Sequence, residues 1–188
     1  MQDPKLLEFT MNEIRALVRI NNPHVVKFFE MLKTENRYYF VYEYCNGGDL
    51  EGMMNKQGRL REDQAIQIFR QLLTAFKSLV NENILHRDIK PANILFHNGE
   101  AKLADFGFCK ALTSRQDLTN STVGSPLYMA PEVMFGKDYD SSSDIWSLGC
   151  VLFEMLYSKC PFETNNLTNL MLKLEKEDFQ IPPQPSVS

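Results

Sequence analysis

The polar run His86-Arg87-Asp88-Ile89-Lys90-Pro91-Ala92-Asn93 lies between two short apolar pieces, Ile84-Leu85 and Ile94-Leu95-Phe96. A second polar element, Asp105-Phe106-Gly107, follows a third short piece, Lys102-Leu103-Ala104. These apolar pieces are short and flank the polar motifs. Asn98-Gly99 supplies a tight turn between the last two pieces. The residue types suit a definite chemistry. Two carboxylates, Asp88 and Asp105, and the Asn93 amide fall in these polar pieces and supply hard oxygen atoms and candidate proton acceptors.

The rest of the chain alternates helical and extended patterns. Leu6, Leu7, Ile14, Leu17, Val18 and Ile20 recur at helical spacing, and Pro23 ends that helix. Val25 to Leu32 and Arg37 to Val41 read as two strands joined by a hairpin turn at Thr34-Glu35-Asn36. Asn46-Gly47-Gly48-Asp49 marks a hinge between two halves. The clearest amphipathic helix runs through Ala65, Ile66, Phe69, Leu72, Leu73, Phe76, Leu79 and Val80, with Glu62 and Asp63 at its positive end. Residues 111–126 are rich in Ser, Thr and Asn and read as a mobile loop. Ser143 to Tyr157 reads as a deeply buried helix that includes Ile145, and Asn165 to Glu177 as another amphipathic one. The prolines at 182, 183 and 185 exclude regular structure at the end.

Charge and cysteine usage narrow the function classes. A net charge of −4 argues against nucleic acid or an anionic membrane surface as partner. No apolar run is long enough to span a bilayer, and no basic stretch leads into an apolar run near Met1. The four cysteines, at 45, 109, 150 and 160, form no Cys-x-x-Cys pair and read as reduced thiols of a cytoplasmic protein.

The polar motifs continue in order. Ala130-Pro131-Glu132 places its Glu 27 residues after Asp105, and Asp144-Ile145-Trp146-Ser147-Leu148-Gly149 follows. Each triplet is weak alone, but the ordered set resembles the catalytic part of a eukaryotic-type protein kinase by matching that family's signature. Lys90, two residues after Asp88, and Ser125 ahead of Pro126 resemble the serine/threonine class. Asp-Phe-Gly-Phe-Cys-Lys and Gly-Ser-Pro-Leu-Tyr-Met-Ala-Pro-Glu are similar to the Unc-51-like kinases.

The resemblance implies an α+β, bilobal fold. Residues 1–43 would be a partial small lobe of one helix and two antiparallel strands, and 44–188 a mostly helical large lobe lacking its last helices. It implies ATP and Mg2+ as cofactors and protein substrates. Asp88 would orient the substrate hydroxyl and take its proton, Lys90 would offset the charge of the transferring phosphate, and Asn93 and Asp105 would hold magnesium. Glu13 would pair with an ATP-binding lysine, though it also fits a solvated helix position. Tyr42 would control the pocket behind the adenine. Glu43, Cys45 and Leu95 would line the adenine site and Asp49 contact the ribose, though Cys45 and Asp49 also suit a plain hinge. Arg87 would pair with a phosphate on Ser121 or Thr122, which otherwise read as ordinary loop hydroxyls. Asp144 would tie the catalytic loop to the large helix.

The pattern also departs from the family. Twelve residues precede Glu13, with no Gly-x-Gly among them, and Lys5 is too close to Glu13 to stand in for the strand lysine. The function expected is therefore a protein serine/threonine kinase present as an incomplete domain, nearly inactive alone because positioning is most of phosphoryl-transfer catalysis. The alternative is a pseudokinase or truncated binding module. The oligomeric state is left open.

Overall fold

A computed structural model describes residues 11, 14–35, 37–112, 119, 121–164 and 166–176. The expectations for Leu6 and Leu7, Glu13, Asn36, residues 113–118 and 120 of the 111–126 loop and the proline-rich end lie outside these residues. Among the described residues the fold combines a partial small lobe with antiparallel strands and a mostly helical large lobe.

Residues 14–19 form a helix, α1, with Ile14, Ala16 and Leu17 buried. Strands β1 (Phe28–Lys33) and β2 (Tyr38–Tyr42) pair antiparallel, with a bulge between Phe28 and Glu30. The first strand begins later than the sequence predicts. Val25 and Val26 are drawn to the large lobe instead: Val25 bridges Leu103 in parallel, and the Val26 N–H donates to the Leu103 carbonyl at 2.9 Å.

The Asn46-Gly47 turn leads into α2 (Leu50–Gln57), a helix the sequence reading missed. Asp49 starts it, because its Oδ1 accepts from the Gly52 N–H at 2.7 Å. Its short length and weak apolar pattern explain why periodicity alone did not reveal it. Helix α3 (Glu62–Asn81) buries Ala65, Ile68, Leu72, Ala75 and Leu79, a 3-4-3-4 spacing. Ile66 and Leu73, placed on the apolar face by the sequence, are partly exposed instead. Each fully buried leucine on this face contributes about 1.5–3 kcal/mol relative to exposure.

The short apolar pieces that flank the polar loops are strands. Strand β3 (Ile84–Leu85) pairs with β6 (Lys110–Ala111), and β4 (Ile94–His97) with β5 (Glu100–Leu103). Asn98 (φ 51°) and Gly99 (φ 86°) close the second hairpin, the left-handed pair that a tight two-residue turn demands. Helix α4 (Pro131–Met134) is a single turn that opens on a proline. Helix α5 (Ser142–Tyr157) buries Asp144, Ser147, Leu148, Cys150, Val151 and Met155. Ile145, counted with its buried face from the sequence, is 55% exposed; the helix turns that position outward while Asp144 points in. Asn166 caps α6 (Leu167–Glu175) by accepting from the Asn169 N–H at 2.9 Å.

The main core lies where α3, α5, β4 and β5 meet. Leu72, Leu79, Ile89, Ile94, Leu103, Phe106, Val151 and Met155 are all essentially removed from solvent there. This core lies directly behind the polar loops and fixes their backbone.

Candidate functional site

Burial of the catalytic-loop side chains comes first, because a buried polar group must find partners. Asp88 keeps only 3% of its side-chain surface exposed. Every side chain suited to hold it does so. Lys90 Nζ lies 2.8 Å from Oδ2, Asn93 Nδ2 donates to Oδ2 at 2.9 Å, and Ser125 Oγ donates to Oδ1 at 2.8 Å. Asn93 Nδ2 also reaches the Asp88 carbonyl at 2.9 Å, and Lys90 Nζ donates to Ser125 Oγ at 2.9 Å. Burial pushes the Asp88 carboxyl up, but hydrogen bonds from Lys90, Ser125 and Asn93 and the Lys90 charge outweigh it, so the group is held below the usual carboxylate range. Asp88 is thus an anion with its lone pairs engaged by a cation, an amide and a hydroxyl.

The backbone beneath it is held from behind. Arg87 adopts φ 69°, a left-handed conformation that a non-glycine residue takes at a cost. Asp144 on α5 supports it, since its two carboxylate oxygens accept the His86 N–H at 2.8 Å and the Arg87 N–H at 2.9 Å. Burial pushes the Asp144 carboxyl up, while the His86 ring and the two amides pull the other way. His86 is wholly buried. Its Nδ1 accepts the Asp88 N–H at 3.3 Å, which assigns the ring proton to Nε2, 3.1 Å from the Ala104 carbonyl. Burial holds its pKa below the ordinary value despite the nearby carboxylates, so the ring is neutral. The ring meets Phe106 edge-on, with centroids 4.7 Å apart.

Asp105 is exposed, has φ 62°, and accepts the Gly107 N–H at 3.3 Å through Oδ1. The Ala104 N–H donates to the Asn93 carbonyl at 2.9 Å, which ties the two polar motifs together. Asn93 and Asp105 offer an amide and a carboxylate oxygen, a hard donor pair suited to Mg2+ when phosphate oxygens and water complete the shell. Among the described residues no group of three or more His, Cys, Asp or Glu side chains gathers to bind a metal by itself.

The hinge residues lie at the boundary of the lobes. The Glu43 N–H donates to the Lys27 carbonyl at 2.8 Å. Cys45 is half-buried, and burial, then the Glu43 charge, pushes its thiol up. Asp49 bridges Leu95, which is half-buried, and the Gly47 N–H donates to the Phe96 carbonyl at 2.8 Å. Asp49 Oδ1 is the α2 cap, which leaves Oδ2 for other work. Tyr42 packs edge-on against Phe28, with centroids 5.5 Å apart.

Of the two loop hydroxyls, the structure brings Ser121 to Arg87, whose Nη1 donates to Ser121 Oγ at 3.3 Å. Thr122 points elsewhere and donates to the Val133 carbonyl at 3.4 Å. Lys110, not singled out from the sequence, joins this cluster: its Nζ donates to Thr119 Oγ1 at 2.6 Å, and that oxygen lies 3.3 Å from Ser121 Oγ. No spacing rule connects Lys110 to Ser121; the β3–β6 pairing does. Ser125 was read as a class marker, and the structure adds that it touches the Asp88 carboxylate itself. Gly124 makes that approach possible, since a Cβ there would lie 2.3 Å from the Arg87 carbonyl at φ 113°.

Known proteins carry the same sequence pattern. The chain matches the protein kinase domain over residues 2–188. It is 37% identical over 178 residues to the serine/threonine-protein kinase ATG1a of Arabidopsis thaliana, covering 93% of this chain and 28% of that protein. It is 41% identical over 176 residues to the human serine/threonine-protein kinase Nek5, covering 92% and 25%. Against the CBL-interacting serine/threonine-protein kinase 10 of Arabidopsis thaliana it is 42% identical over 181 residues, covering 94% and 38%. The chain therefore spans well under half the length of these relatives. A match that runs through nearly every residue, and includes the polar groups that the fold gathers around Asp88, makes this chain a member of the protein kinase domain family.

Proposed function

We propose that the protein transfers the γ-phosphoryl group of ATP to Ser and Thr hydroxyls of protein substrates. The observation that carries this reading is the convergence of Lys90, Asn93 and Ser125 on the one buried carboxylate of Asp88. In this reading the substrate hydroxyl approaches Asp88, which orients it and takes its proton as the new O–P bond forms. Lys90 offsets charge on the transferring group. Ser125 and Asn93 keep the carboxylate aimed. Asn93 and Asp105 would hold Mg2+, which when bound neutralises phosphate charge. Glu43, Cys45, Asp49 and Leu95 would frame the adenosine, with Glu13 aligning the phosphates through a lysine.

Arg87 and Lys110 converge on Ser121 and Thr119, which favours Ser121 over Thr122 as the position where a phosphate would order the loop. The free thiols of Cys45, Cys109, Cys150 and Cys160 favour a cytoplasmic site of action. A pseudokinase is not favoured, because Asp88, Lys90, Asn93 and Asp105 are all present, and the first three are bonded together.

The test is transfer of labelled phosphate from ATP to a basic protein by the longest natural form that contains these residues. Asp88→Asn is expected to lower the rate about 10²- to 10⁴-fold. Full activity in that variant would overturn the assignment.

A further inference from the structure

Lys102 is an anomaly in β5. Its neighbours Ala101 and Leu103 are core residues, yet Lys102 is itself only 8% exposed. Alternation along the strand turns it away from the α3 core and toward the hinge. A lysine this buried needs partners, and it has two from separate segments. Its Nζ donates to the Pro23 carbonyl at 2.6 Å and lies 2.9 Å from Glu43 Oε1. The other Glu43 oxygen accepts the Lys27 N–H at 3.2 Å, and the Glu43 N–H returns to the Lys27 carbonyl at 2.8 Å. One ammonium on β5 of the large lobe thus joins Pro23, in the segment between α1 and β1, to Glu43, the residue after β2, and Glu43 in turn holds Lys27 at the base of the β1–β2 hairpin.

The proposed function uses Glu43 but gives Lys102 and Pro23 no role, and exposed ion pairs elsewhere differ from this junction. Arg19–Glu82 and Arg61–Asp63 keep about 40% or more of each side chain exposed, whereas Lys102 and Glu43 keep 10% and 20%. Screening weakens the exposed pairs, but it acts far less on a shielded pair with further hydrogen bonds. Burial pushes the Glu43 carboxyl up, and the Lys102 and Lys27 contacts more than reverse that.

We infer that Lys102 is a positioning residue for nucleotide binding: by latching the Glu43 side chain to Pro23 and β5, it fixes the hinge backbone against which an adenine would lie. The inference rests on the kinase reading for the identity of the ligand. The latch itself is a property of the chain. A hinge held before the ligand arrives spares the complex the entropy of ordering it.

Two measurements on the 188-residue chain test this. The first is amide hydrogen exchange without nucleotide. In Lys102→Met, exchange at the Glu43 and Lys27 amides is expected to rise about tenfold while amides of α3 stay unchanged. The second is binding of fluorescently labelled ADP. Lys102→Met is expected to weaken it about threefold to tenfold, and Lys102→Arg, which keeps a donor for both partners, to stay within about twofold of the wild type. Glu43→Gln serves as a second variant and is expected to move both readouts in the same direction as Lys102→Met.

An unchanged affinity in Lys102→Met would overturn the inference. So would an exchange increase spread evenly over α3 and the hinge, which would mark a general loss of stability. Equal loss in Lys102→Arg and Lys102→Met would also overturn it. If the wild-type chain binds no labelled ADP, these 188 residues are no nucleotide site by themselves, as an incomplete domain allows, and the nucleotide half of the inference is overturned for this chain; the exchange experiment then decides whether the latch exists.

Discussion

The 86–93 loop and the β1–β2 hairpin make opposite use of their residues. In the loop, His86, Asp88, Ile89 and Asn93 are buried, and each of the three polar side chains is hydrogen-bonded. In the hairpin, Phe29 is 55% exposed, Leu32 50% and Tyr39 47%, although these are large apolar side chains. The loop is polar in sequence and dry in structure; the hairpin is apolar in sequence, yet Phe29 to Lys33 of its first strand are all exposed. Composition therefore does not predict where each region's stability lies. The loop is secured from several directions at once by α5, β5 and the Ser125 segment. The hairpin is secured mainly at its base, through Val25, Val26 and the Glu43–Lys102 contact.

The largest test of this contrast is Asp144→Ala. It strips two buried backbone N–H groups, those of His86 and Arg87, of their acceptor. At about 1–3 kcal/mol for each group left unsatisfied, the loss is expected to reach about 2–6 kcal/mol in urea unfolding. A loss well below 1 kcal/mol would mean that the loop is not held from α5.

A smaller effect is expected from pH. The neutral, buried His86 has a pKa lowered from its ordinary 6.5. Below that pH the unfolded chain binds a proton that the folded chain refuses, so ν in the unfolded state exceeds ν in the folded state and stability rises with pH. The contribution is complete above about pH 6.5 and declines as pH falls toward the lowered folded value. Unfolding free energies at pH 7.5, 6.5 and 5.5 are expected to be level across the first pair and lower at the last. Burial raises the Asp144 and Glu154 carboxyls, which act in the opposite direction, so a profile rising toward acid would mean that they outweigh His86. Asp88 and Glu43, both held low, act in the same direction but in the carboxylate range below.

The smallest effect is expected in the hairpin. Phe29→Ser and Leu32→Ser in the exposed part of β1 are expected to change stability by no more than about 0.5 kcal/mol. A loss of about 2 kcal/mol or more, the range for truncating a core side chain, would show that this part is buried in solution and would erase the contrast.

Much of the site was legible because its chemistry is local in sequence. Asp88, Lys90 and Asn93 fall within six positions, and short apolar pieces flank them. The order of the later motifs carried the family, and Asn98-Gly99 marked its hairpin. Helix α2 was not legible, since eight residues with two buried side chains leave little periodicity. Ile145 was misplaced because an apolar residue beside a buried Asp144 reverses the usual rule for a helix face. Lys110 and Lys102 went unnoticed as partners, because a lysine's neighbours depend on which strands pair.

The amino-acid order alone determined the residue types of the reaction, their spacing along the loop, the short apolar pieces and tight turn around them and the principal buried helices. These follow from short-range rules of periodicity, turn geometry and burial. Only the tertiary structure decided that Ser125 meets Asp88, that Ser121 rather than Thr122 faces Arg87, and that Lys102 closes on Glu43. Each of these contacts joins residues 34 to 59 positions apart, bound by hydrogen bonds whose angstrom-scale distance limits no sequence spacing encodes.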